Sequence, residues 1–371
     1  MNVLHFYKTS MPDSTGGVEQ VIDQLARGTS ALGVRNTVLA LSPDPVAAVV
    51  EREGYALHRV QRAAQVASTD LSLAVFRRFA ALAREADLIH YHFPWPLMDA
   101  VHFATRIRKP TLLTYHSDIV RQRMLARFYA PLMRRFLGAV DGIAATSPNY
   151  LAGSEVLARY REKVRVIPIG IAKVTYPQPS PERLAAWRAR LGDRFFLFVG
   201  VLRYYKGLHI LLDAAQGCDY PIVILGAGPT EQALKAQARR LRLRNVQFLG
   251  YLPDEDKVAI LALCFAVLFP SHLRSEAFGV SLLEGAMFGK PLISSEIGTG
   301  TSFINAADLT GLVVPPGDPA ALRGAMDRLW HDSALAAAMG RHAQARYQAH
   351  FTAEQMSASY VRFYRELVSA T

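Results

Sequence analysis

The chain has 371 residues, half of them hydrophobic and a fifth charged, a balance that excludes a disordered or fibrous protein. It carries 42 Lys and Arg against 31 Asp and Glu, a formal charge of +11 that raises an anionic surface or nucleic acid as a partner. The longest apolar run, Val258 to Phe269, has 12 residues, well short of the roughly 20 that a membrane-spanning helix needs.

The opening MNVLHFYKTSMPD contains His5, Lys8 and Asp13 and has no signal-peptide h-region, so a cytoplasmic protein is expected. Short β-rich runs then alternate with helical stretches, at 3–7, 36–42, 87–92, 111–116, 142–147 and 164–170. Most lack strict apolar–polar alternation, as parallel strands covered on both faces do. After the first run, Gly16-Gly17 opens an amphipathic helix; glycines there either make an ordinary turn or let backbone N–H groups approach an anion. His90 and His92 fall on one face of a strand, without a third ligand at matching spacing, and read as buried and hydrogen-bonded. His116 ends another strand, on the side where ligands of open parallel sheets gather.

Eight basic residues lie between Arg106 and Arg135 against Asp118 alone, so this segment is +7 by itself. Within it Met124, Phe128, Leu132 and Phe136 recur every fourth residue, as on an amphipathic helix that Pro131 should kink or break. Arg121, Arg123 and Arg127 on such a helix suit an anionic lipid surface; the same stripe also suits packing on its own domain.

Three prolines in KVTYPQPSP (173–181) mark a linker. Strand-like runs resume at 195–200, 221–228, 246–252, 266–271, 291–296 and 311–316. The pattern predicts an α/β protein of two Rossmann-like parallel-sheet domains, 1–172 and 182–351, followed by a helix over 352–371 whose Met356, Tyr360, Phe363 and Leu367 share an apolar face. Cys218 and Cys264 form no CxxC and read as buried thiols.

Arg203 and Lys206 precede a helix in the second half, an arrangement suited to clamping a diphosphate. Gly226-Ala227-Gly228 follows a strand, but Glu231 stands where the third dinucleotide glycine belongs, which disfavours a dehydrogenase and leaves close backbone approach to a nucleotide. GAMFGK (285–290) has three residues between its glycines and Pro291 in place of the magnesium-binding Ser or Thr, so it is no Walker A. Asp254-Glu255-Asp256 matches a D-x-D metal motif, yet also a capped helix start. Glu276 and Glu284 are eight residues apart, slightly over two helical turns, and from one helix face would offer acceptors to vicinal hydroxyls.

SEAFGVSLLEGAMFGKPLISS, GVLRYYKG and TGGVE resemble the E-x7-E signature, the phosphate-clamp loop and the N-terminal glycine loop of retaining GT-B glycosyltransferases of family 4, and together they are highly specific. The resemblance implies that Gly16 and Gly17 approach the donor diphosphate or acceptor, that His116 bonds the transferred sugar, and that Arg203 and Lys206 neutralise the leaving diphosphate. It implies that Glu276, with backbone from Phe278, Gly279 and Val280, holds the sugar hydroxyls and Glu284 the ribose. It implies that the Gly250-Tyr251-Leu252 backbone reads the base, that Gly226 and Gly228 also line the donor site, and that the last helix packs back on the first domain. Val201 stands where the family often has arginine, with Arg203 as its substitute. SEIGTGTSFIN (295–305) and VLRYYKG look most like bacterial O-polysaccharide mannosyl- and rhamnosyltransferases. This resemblance implies a GDP-sugar donor, a lipid-linked glycan acceptor and the inner membrane face as the place of work. Retention of configuration with no metal or other cofactor is implied as well. Competing readings are a UDP-sugar transferase, a nucleotide-sugar epimerase, a non-catalytic sensor and a nucleic-acid-binding protein; the last lacks any helix-turn-helix, RRM or zinc pattern.

Overall fold

In the computed structural model, residues 1–370 are described apart from 15, 46, 67, 68, 107 and 119–122; the side chains of 66, 69 and 123–127 also lie outside the description. The chain divides into two units, residues 1–171 with 352–371, and residues 172–351.

The first unit contains β1 (Asn2–Phe6), β2 (Arg35–Ser42), β3 (Val49–Arg52), β4 (Tyr55–Gln61), β5 (Ala64–Val66), β6 (Thr69–Leu71), β7 (Leu88–Phe93), β8 (Thr111–Tyr115), β9 (Gly142–Ala145) and β10 (Val164–Val166). Eight of them form a sheet in the order β10-β9-β8-β7-β1-β2-β4-β3, parallel except for β3. Every residue of β7, β8 and β9 is buried, which is why these runs show no apolar–polar alternation. The order reverses between β1 and β7, and the crevice beyond the carboxyl ends at such a reversal is where ligands of this architecture bind.

The β3–β4 hairpin was not expected from the sequence. It forms the sheet edge, where Glu51 is exposed, Arg52 is half-buried 3.7 Å from Asp23 and Gly54 turns at φ +85°, so charged residues interrupt the apolar signal as edges commonly require. The run predicted over 164–170 stops at Val166, ahead of Pro168, which has no N–H to give a ladder. Helix Arg123–Ala139 runs through Pro131 instead of breaking there. Phe136 and Leu137 are fully buried and anchor its second half, so packing holds the helix where proline removes a hydrogen bond. Phe128, by contrast, is 86% exposed, so the predicted apolar repeat does not form one buried stripe.

Helix Ala353–Ser369 buries Met356, Tyr360 and Phe363 against Val3, Leu88, Leu112 and Ala144 of this sheet. Gly142 makes room, since a Cβ there would lie 2.6 Å from the Phe363 ring. The last helix therefore does pack on the first unit.

The second unit holds β11 (Phe196–Val199), β12 (Ile222–Leu225), β13 (Val246–Gly250), β14 (Ala266–Phe269), β15 (Leu292–Ser295) and β16 (Gly311–Val314), all parallel, in the order β13-β12-β11-β14-β15-β16. Phe196, Phe198, Leu211, Ile224, Leu268 and Ile293 form the centre of its core. The order reverses between β11 and β14, so the segments leaving these two strands frame the expected crevice. Cys264 is buried and Cys218 half-buried, both as free thiols.

Candidate active site

The segment leaving β11 carries the predicted clamp. Leu202 is fully buried and pins it, and a single turn over Tyr204–Lys206 ends at Gly207 in the left-handed conformation, φ +71°. A Cβ on Gly207 would fall 1.9 Å from the carbonyl oxygen of Pro270, so only glycine lets this turn press against the segment leaving β14. That contact brings Lys206 to Glu276. The two form an ion pair, each side chain only 11% exposed, and Ser271 Oγ donates to Glu276 Oε2 at 3.4 Å. The Lys206 ammonium also lies 4.8 Å from the centre of the Phe269 ring. Arg203 opens the turn and is exposed, with no acidic partner among the described residues. The clamp thus offers one solvated cation and one preset against a carboxylate.

The helical relation expected between Glu276 and Glu284 does not exist. Helix Val280–Met287 starts after Gly279, which is left-handed at φ +101°, so Glu276 lies in the preceding loop and the two carboxylates meet different partners. Glu284 is 4% exposed and accepts at Oε1 from Tyr176 Oη (3.0 Å) and from Lys257 Nζ (3.3 Å). Lys257 in turn pairs with Asp254 at 3.0 Å. Neither Tyr176, in the proline-rich segment, nor Lys257 was singled out from the sequence; the i, i+3 spacing of Asp254 and Lys257 was the available signal. Phe278 is buried, while Gly279 and Val280 sit at the helix N-terminus, where unpaired N–H groups favour anionic or hydroxyl oxygens.

The remaining donor-site candidates sort by packing. A Cβ on Gly226 would stand 2.0 Å from Gly200 O and one on Gly228 2.5 Å from Leu202 O, so both glycines are required for the fit of β12's exit against the clamp segment. Tyr251 is 74% exposed just after β13, with Leu252 half-buried beside it. Asp256 of the D-x-D match holds Arg183 (2.6 Å) and the Trp187 indole N–H (2.9 Å); the three acids occupy the first turn of helix Asp254–Leu263, where negative charge favours the helix dipole, but none caps it, since Pro253 is the N-cap and makes no side-chain bond to the free N–H groups.

In the first unit Gly16 caps helix Gly17–Ser30, and a Cβ on it would lie 2.4 Å from Glu19 Oε2. Glu19 is buried and accepts from Thr9 Oγ1 at 2.6 Å. His116, 5% exposed, leaves β8 and bonds through Nε2 to His92 Nδ1 at 3.0 Å. His90 and His92 are fully buried and hydrogen-bonded, as read from the sequence; His5, which joins them, was missed. Burial pushes the His116 imidazole down to about 3 and that of His5 to about 4. Of the basic segment, Arg121 and the side chains of Arg123 and Arg127 lie outside the described residues.

Two mainly parallel sheets that each reverse order once, one of them with a cation–carboxylate pair at the reversal, fit the architecture of a GT-B glycosyltransferase. Residues 180–346 match the family "Glycosyl transferases group 1" and residues 15–173 match "Glycosyltransferase Family 4", and the chain belongs to this family. It is 61% identical over 353 residues to D-rhamnosyltransferase WbpZ of Pseudomonas aeruginosa, covering 95% of this chain and 93% of that one. It is 47% identical over 370 residues to O-antigen chain mannosyltransferase C of Escherichia coli, with both chains covered in full. Among solved structures, sucrose-phosphate synthase from Thermosynechococcus elongatus superposes with a TM-score of 0.83 at 23% identity over the whole of both chains, a likeness of fold.

Proposed function

We propose that the protein transfers mannose or rhamnose, with retention of configuration, from a GDP-sugar to a lipid-linked glycan in O-antigen synthesis. Support for the sugar and the pathway comes from its similarity to the rhamnosyl- and mannosyltransferases just named. The observation that carries the chemistry is the Lys206–Glu276 pair at the sheet reversal. When a diphosphate enters, Lys206 exchanges Glu276 for phosphate oxygens and Arg203 adds a second charge, so negative charge developing on the leaving group is met by cations already in position. Glu276, released, accepts from sugar hydroxyls. Glu284, with Oε1 held by Tyr176 and Lys257, presents Oε2 to the ribose. These groups neutralise the leaving group without a divalent ion, and transfer is expected to proceed unchanged in EDTA.

The acceptor reading rests on charge. The segment 106–135 is strongly basic, and Phe128 stands exposed on its helix, a combination that suits an anionic leaflet. No helix among the described residues is long and apolar enough to cross a membrane.

Incubating the enzyme with GDP-mannose, GDP-D-rhamnose, UDP-glucose and UDP-N-acetylglucosamine tests the donor. A GDP-sugar should raise the melting temperature most and be turned over only when acceptor is present; conversion of the donor alone would instead indicate an epimerase.

A further inference from the structure

Four histidines meet in the first unit, and parallel register brings them together: His5 of β1 lies opposite His90 of β7, and His92 lies opposite Thr114 of β8. Their hydrogen bonds have a direction that the far end determines. The Asn36 amide donates through Nδ2 to Ala26 O (2.8 Å), to Thr29 Oγ1 (3.0 Å) and to Val34 O (3.4 Å), which fixes Oδ1 as the atom facing His5. His5 Nε2, 3.2 Å from that oxygen, must therefore carry the proton, and its Nδ1 must accept. His92 Nε2, 3.2 Å away, then donates to His5, leaving His92 Nδ1 to accept from His116 Nε2 at 3.0 Å. No described residue bonds His116 Nδ1.

We propose that Asn36, His5 and His92 form a one-directional relay that fixes His116 as its Nε2–H tautomer, so that Nδ1 meets the ligand as a hydrogen-bond acceptor. Which ring nitrogen of a histidine is protonated is set by the bond the other one makes, and here that choice is made three residues away. Asn36, His5 and His92 are thus positioning residues acting through His116. The inference rests on the reading that His116 faces the transferred sugar, whose hydroxyl would be the donor to Nδ1. Burial supports a relay of neutral rings, since it disfavours the imidazolium in all three. His90 stacks on His92 with centroids 4.4 Å apart but stands outside the relay, its nitrogens bonded to Thr114 Oγ1 and Tyr364 Oη, both at 2.7 Å. His5, His90 and His92 offer ring nitrogens within 4.8 Å of one another, a spacing a metal could bridge. Both nitrogens of each ring already have protein partners.

The test is a long-range 1H–15N correlation spectrum of the full chain labelled in its histidines, taken at pH 7. His5, His92 and His116 should each appear as a neutral Nε2–H ring. Replacing His5 by Phe removes the acceptor that orients His92 and should give His116 a mixed tautomer population. The same change should lower kcat/KM for the donor by about tenfold to a hundredfold, the cost seen when an outer partner that orients a metal-ligating histidine is lost. His5→Gln, whose carbonyl can accept from His92, should restore both. His116 as the Nδ1–H or charged form in the wild type, an unchanged His116 signal in His5→Phe, or a metal ion retained by the purified protein would each overturn the relay. If the spectrum shows the relay but His116→Phe keeps full turnover, the relay stands and the assignment of His116 to the sugar fails.

Discussion

Lys206 carries two roles that a pair of substitutions can separate. Removing it leaves Glu276 without its cation in a site that is only 11% exposed, and a carboxylate stripped of its partner there destabilises the fold. Lys206→Ala should therefore lower the melting temperature and also reduce transfer by a factor of about 100 to 1,000, as loss of one preorganised charge-stabilising group does. Adding Glu276→Gln should recover much of the melting temperature and none of the activity; recovery of both would mean that the pair is structural. The buried histidines make a second prediction. The His5 imidazole is held at about 4 in the folded chain against 6.5 unfolded, so the unfolded chain takes up the proton first as the pH falls. Stability from this group is complete above pH 6.5 and is lost progressively toward pH 4, by about 3 kcal/mol for His5 alone. His116 adds in the same direction. Thermal melts should fall steadily between pH 7 and pH 4.5; a flat profile would mean that these rings are solvated. His5 itself was illegible in the sequence, because a lone histidine in NVLHF gains its neighbours only through the register of β1 on β7.

The elements of the second unit were legible because the strands are short and, apart from the half-buried edge strand β13, buried, and because Gly200, Gly226, Pro270 and Pro315 directly follow β11, β12, β14 and β16. All six predicted runs contain the observed strands. The β3–β4 edge escaped notice for the opposite reason, its Glu51, Arg52 and Arg59 reading as loop. Glu276 and Glu284 were recognised as a pair, but their geometry was not, since a spacing of eight says nothing once Gly279 delays the helix. Gly207 shows how an element junction positions chemistry. Gly207→Ala would force a Cβ to within 1.9 Å of Pro270 O and strain a backbone at φ +71°. It should cost more than about 1 kcal/mol and weaken donor binding, because Lys206 is the residue next to it. A variant with unchanged melting temperature and unchanged donor affinity would show that the turn relaxes freely.

Across the whole molecule the charge of +11 is uneven, with the segment from Arg106 to Arg135 alone contributing +7. Each basic side chain close to an anionic leaflet adds about 1 kcal/mol of attraction. Neutralising Arg121, Arg123 and Arg127 together should then reduce binding to anionic liposomes by about a hundredfold, in a salt-sensitive way. Donor affinity should be unaffected; loss of both would identify the arginines as structural. The membership of the chain in the group 1 and family 4 glycosyltransferases is established by its sequence, whereas the donor is the point on which the functional proposal turns. The most direct measurement is transfer to a lipid-linked O-antigen acceptor by the wild-type chain and by Lys206→Ala, with GDP-mannose, GDP-D-rhamnose and UDP-glucose compared in parallel and the anomeric configuration of the product read by NMR. The prediction is turnover with a GDP-sugar, retention at the anomeric carbon and near-complete loss in Lys206→Ala. Transfer from UDP-glucose alone, an inverted product, or full activity without Lys206 would contradict it.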